Sequence, residues 1–126
     1  MQIIVFNKDY ADPETVRRLV RAIINVMVSS KIPVPYDTII CVVNAKNFDS
    51  IKRRLKAIVA CEEYLITLLP ELTLYVKTDV PPNIFIFNLM EALYILSYIR
   101  LGRRVSKREA EEWVRENIFK VFKYLR

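Results

Sequence analysis

The chain has no histidine, a single glycine and a single glutamine among 126 residues. Without histidine there is no Ser-His-Asp triad, no Cys-His pair and no imidazole metal ligand. The lone glycine, Gly102, cannot build a phosphate-cradling loop. Such loops need several residues at positive φ whose backbone approaches the phosphate closely. Neither a P-loop nor a G-x-G-x-x-G fingerprint is written here. Cys41 and Cys61 are the only cysteines, too few for a tetrahedral zinc site. No cofactor, metal or small-molecule substrate is indicated. What chemistry remains belongs to Asp, Glu, Lys, Tyr or Cys, with or without magnesium.

What is present describes a folded, basic domain. Hydrophobic residues make up 53% and charged residues 27%, a globular composition. The length suits one domain spanning 1–126, able to bury about 65–70% of its unfolded surface without a staple. The first residues, Met1-Gln2-Ile3-Ile4-Val5-Phe6, carry no charged leader and read as a strand. An intracellular setting is therefore expected.

Apolar periodicity sets out the elements. Residues 2–6 form a short β-branched run, expected as a buried strand. Asp12-Pro13 opens a helix to about Ser29, Asp12 capping it and Pro13 fitting the first helical position. Val16, Leu19, Val20, Ile23, Ile24 and Met27 form its inward face. Pro33 and Pro35 break the chain before a second strand at 38–43, continuous in apolarity and so central. Asn47 or Asp49 is expected to cap a second helix from 50 to about 60, with Ile51, Leu55, Ile58 and Val59 inward. The stretch 61–70 reads equally as more helix or as a turn. Residues 72–77 alternate as a third strand. Asn83 caps a helix over 84–101 that stops at Gly102, and Ser106-Lys107-Arg108-Glu109 is a capping box for a last helix to about Tyr124. The order β-α-β-α-β-α-α predicts an α/β fold: a small, mostly parallel three-stranded sheet with packed helices. The alternative is α+β with a mixed sheet.

The helix over 84–101 is apolar nearly all round, so it is either a core helix or a membrane span. Glu91 near its middle, with Asn88 beside it, is costly in lipid, and the other elements need a core to cover; the core assignment is the expectation. Asn88, Glu91 and Tyr98 fall in one narrow seam. A carboxylate there needs a hydrogen-bond or arginine partner, serves as an acid or base, or is exposed at a subunit interface.

The net charge is +6 and its distribution is uneven. Arg100, Arg103, Arg104, Lys107 and Arg108 lie in one short acid-free stretch, and Lys52, Arg53, Arg54 and Lys56 form a second cluster. Either could attract phosphates or nucleic acid, although no recognised nucleic-acid motif is present. In the last helix Trp113, Val114, Ile118, Val121 and Leu125 face inward, while Arg108, Arg115, Phe119, Phe122 and Arg126 look outward. Glu111–Arg115 and Glu116–Lys120 have the spacing of i,i+4 ion pairs. Cys41 and Cys61 are expected about 10 Å apart along the sheet, as buried free thiols. That exceeds the Cα separation of about 4.4–6.8 Å that a disulfide spans.

Isoleucine, valine and leucine account for 41 residues, tyrosine for seven, and the helices are rich in arginine. In this composition the chain resembles small orphan proteins of hyperthermophilic crenarchaeal spherical viruses of the Pyrobaculum type. The resemblance implies action in a host cytoplasm or a virion and carries no site residue with it.

Three functions compete. The leading expectation is a non-enzymatic interaction protein, homodimeric through Arg115, Phe119, Phe122 and Arg126. The second is a nucleic-acid-binding accessory protein using the basic 100–108 turn with Lys52, Arg53 and Lys56. The third, an acid-based enzyme around Glu91, has little behind it. Asp37, Glu71 and Asp79 sit near strand ends but match no catalytic spacing.

Overall fold

A computed structural model describes residues 1–6, 12–68 and 71–125. Its elements run β1 (Gln2–Val5), α1 (Pro13–Ser29), β2 (Ile39–Val43), α2 (Ala45–Arg54), β3 (Val59–Ala60), β4 (Tyr64–Thr67), β5 (Thr73–Lys77), α3 (Pro82–Ile99) and α4 (Lys107–Tyr124). The fold mixes α and β as expected, but the sheet has five strands, in the order β1-β2-β5-β4-β3. The three strands read from the sequence form its parallel part, β1-β2-β5. The other two are an antiparallel hairpin added to the free side of β5.

That hairpin occupies the stretch whose reading was open, and it also corrects the second helix. α2 begins directly after β2, capped by Asn44, whose side chain accepts the Asn47 N–H at 2.8 Å. Neither Asn47 nor Asp49 is the cap, and the helix ends at Arg54. Of the expected inward face, only Ile51 packs inward from the helix. Leu55 is its C-cap, Ile58 is exposed and Val59 belongs to β3. The anchor is Phe48, fully buried against Val43 and Leu65.

β2 explains its unbroken apolarity. Ile40 and Val42 point into the main core, and Cys41 and Val43 towards the α2 face, with all four buried. β1 differs from expectation: as an edge strand it leaves Ile3, Ile4 and Val5 only half-buried. The main core lies on one face of the sheet. There Ile40, Val42, Tyr64, Ile66, Leu74 and Val76 meet apolar residues of α1, α3 and α4.

α1 starts as read, with Asp12 accepting from the Thr15 amide at 3.0 Å and its hydroxyl at 3.1 Å. Its inward residues are buried, with Val26 added and Ile24 only half-buried. α3 begins at Pro82 after Pro81, without the side-chain cap expected from Asn83. α3 is long and apolar enough to cross a membrane, yet its stretch from Asn88 to Ser97 is buried inside the domain. α1 and α3 end alike. Ile32 N–H bonds Met27 O and Lys31 N–H bonds Val28 O, while Arg103 N–H bonds Tyr98 O and Gly102 N–H bonds Ile99 O. These are the paired bonds of a Schellman end, with Lys31 (φ 58°) and Gly102 (φ 73°) in the left-handed position.

Candidate functional site

α4 is held at its N-terminal end. Ser106 caps it, accepting the Glu109 N–H at 3.1 Å. The Glu109 carboxylate does not complete a capping box. It accepts instead from Tyr94 Oη at 2.9 Å and from Arg103 Nη2 at 3.0 and 3.1 Å. Arg103 lies over the Tyr98 ring at 4.5 Å, and Tyr94 stacks on Trp113 at 5.0 Å. Ala110, Val114, Asn117 and Val121 form the buried stripe, with Trp113, Ile118 and Leu125 half-buried beside it.

The outward face follows from that stripe. At about 100° per residue, Phe119 points almost directly away from its centre. Phe122 lies about 60° to one side, and Lys123 and Glu116 about 40° and 60° to the other. Phe119 is 51% exposed and Phe122 41%. Arg115, also outward, pairs with Glu111 at 3.7 Å as the spacing foretold. Glu116 and Lys120 do not pair, contrary to expectation: neither makes an ion pair among the described residues. Lys123 sits 5.6 Å from the centre of the Phe119 ring. Arg126 lies outside the described residues.

The basic turn is less free than its composition suggests. Arg100 is ion-paired with Asp37, Arg103 with Glu109 and Arg108 with Glu112. Acids from before β2 and from α4 thus neutralise a stretch that contains none. Arg104 and Lys107 make no ion pair among the described residues. The second cluster is turned to local use: Lys52 Nζ donates to Cys61 O and Arg53 Nε to Asp49 O, each at 3.3 Å. Cations in the last turn of α2 also complement its helix dipole. Lys56 follows that helix, and among the described residues no ion pair joins it to the 100–108 turn.

The polar seam divides into three settings. Glu91, 2% exposed, accepts a 2.6 Å hydrogen bond from the phenol of Tyr64. Asn88 is buried with Nδ2 unpartnered among the described residues. Tyr98 is half-buried beneath Arg103. Tyr64 escaped the sequence reading because its strand did. An aromatic residue opening an apolar run after Glu62-Glu63 was its one signal.

Two clefts open where the parallel strands end. One of about 250 Å³, mostly apolar, lies between the first turns of α1 and α3, with Asp12, Thr15 and Thr78 as its polar groups. The other, of about 210 Å³, lies between Phe6 and α2 and contains Arg54. Neither includes Glu91, and of the two basic clusters only Arg54 reaches one of them. Leu55, Ile58 and Leu68 line a further shallow groove of about 450 Å³ at the β3 edge. Among the described residues no His, Cys, Asp or Glu cluster could hold a metal. Comparison with family models, with curated proteins and with solved structures gives no match for this chain.

Proposed function

We propose that the chain is an interaction protein that works as a homodimer through the outward face of α4. The observation that carries this is the exposure of Phe119 and Phe122, one helical turn apart on the face opposite the buried stripe. Most other exposed apolar side chains, such as Val28, Tyr36, Ile84 and Leu101, belong to separate elements or turns, and scattered exposure of that kind is ordinary. Aromatic rings with a neighbouring arginine are the side chains that anchor protein interfaces. In this reading the chain acts by contact, inside a host cell or a virion.

The nucleic-acid reading is second. It keeps Arg104 and Lys107, while the acid partners of Arg100, Arg103 and Arg108 count against the turn as a whole. Acid–base chemistry at Glu91 draws no support from a carboxylate that lines none of the clefts described.

Light scattering tests the leading proposal. The expected mass is twice 14.9 kDa, falling to 14.9 kDa in Phe119→Asp/Phe122→Asp. A single-chain mass for the parent at all concentrations overturns it.

A further inference from the structure

We propose that two copies pair their α4 helices antiparallel about a two-fold axis beside Phe119, each Glu116 meeting Lys123 of the other copy. The proposal rests on the self-association put forward above and adds its geometry. Along α4, from Arg108 to Arg115, the charges are satisfied within the chain: Glu109 by Arg103, Glu112 by Arg108 and Glu111 by Arg115. Glu116, Lys120 and Lys123 are not ion-paired among the described residues. The outward face therefore has an unpaired acid before Phe119 and an unpaired cation after it, on the same side of the helix.

A two-fold axis perpendicular to antiparallel helices keeps each side of the face on its own side and reverses the order along it. With the axis midway between the levels of residues 119 and 120, the level of Glu116 coincides with that of Lys123 in the second copy. The pair forms twice, as an isologous interface requires. The two Phe119 rings meet near the axis. Phe122 falls between Phe119 and Arg115 of the second copy, where a guanidinium can lie over its ring. A parallel pair, whose two-fold axis runs along the helices, would exchange the two sides of the face; it would set Glu116 opposite Arg115, which Glu111 already holds, and Lys123 opposite Phe122, so the Glu116–Lys123 pair belongs to the antiparallel arrangement alone.

Charge exchange is the test, read as the dimer dissociation constant by analytical ultracentrifugation at low salt. Glu116→Lys alone and Lys123→Glu alone each weaken the dimer about tenfold, because each replaces two attractions by two repulsions. The double exchange restores it to within about threefold of the parent. As a second readout, Glu116→Cys mixed with Lys123→Cys gives a cross-linked heterodimer on oxidation, whereas Glu116→Cys alone does not cross-link to itself. A dimer that Phe119→Asp breaks but that ignores charge exchange overturns this arrangement and spares the surface. A dimer indifferent to Phe119→Asp overturns the surface as well. A parent that stays a single chain overturns both and leaves the face to an unlike partner.

Discussion

Tyr64 of β4 and Glu91 of α3, each at most 2% exposed, are joined by a 2.6 Å hydrogen bond that ties the hairpin to the central helix. Burial pushes the Glu91 carboxyl above its ordinary value. The Tyr64 hydrogen bond and Lys107 oppose that push, and Glu111 and Glu63 add to it. Burial likewise raises the Tyr64 phenol, with further contributions from Glu91 and Cys61. The phenol stays the donor and the carboxyl the acceptor.

Stability should depend on pH through Glu91. Above the ordinary value of 4.5, an unfolded chain has released a proton that the folded chain still holds, up to Glu91's raised value. Folding takes up a proton in that window, so stability falls as pH rises through it. Glu91→Gln should keep an acceptor for Tyr64, flatten this slope and be no less stable than the parent at neutral pH. Glu91→Ala should lose about 2–4 kcal/mol, from the cavity and the stranded hydroxyl. Urea unfolding of the three proteins across pH 4.5–8 checks this; an unchanged slope in Glu91→Gln would assign it to other groups.

Any binding of duplex DNA through the 100–108 turn should be weakly salt-dependent. With only Arg104 and Lys107 unpaired there, two phosphate contacts give a slope of log K against log salt of about −1.8. Filter binding between low and physiological salt measures it. A slope steeper than about −4 would show that the turn's other arginines release their acids on binding.

The matched ends of α1 and α3 should respond oppositely to substitution. A Cβ on Gly102 would meet nothing within 4 Å, so Gly102→Ala costs only the backbone strain of positive φ, about 1 kcal/mol. Lys31 already bears that strain. Lys31→Gly should gain about 0.5 kcal/mol, the relief being partly offset by greater freedom of the unfolded chain. Denaturant midpoints of both variants give the comparison.

The thiols should separate by rate. Both are free; Cys41 is buried with its thiol pushed up to about 11 by desolvation, whereas Cys61 is only half-buried, not buried as expected. At pH 8 a thiol reagent should modify Cys61 first and reach Cys41 only on unfolding, with two thiols titrating in denaturant. Fast modification of Cys41 in the folded protein would contradict its place in β2.

Helix ends were legible where one residue type decides them. Asp12-Pro13, Ser106 and Gly102 each supply a cap that few other residues can. The second helix was misplaced because Asn44, Asn47 and Asp49 all qualify as caps, and only the burial of Phe48 selects Asn44. The hairpin was hidden because its turn, Cys61-Glu62-Glu63, has no glycine, asparagine or proline to mark it. At the surface, Phe119 and Phe122 followed from period alone. The partners of Arg100 and Arg103 did not, since Asp37, before β2, meets Arg100, at the end of α3, only through the tertiary fold.

β5 is the last strand in the chain and the middle one in the sheet, flanked by β2 and β4. Without residues 73–77 the sheet would fall into two halves, β1 with β2 and β3 with β4, each with a bare apolar edge. Such edges are templates for strands of neighbouring chains. Insertion of β5 joins the two halves and covers both inner edges, so the sheet closes only through the strand that comes last in the chain, before α3 and α4 can cover its face.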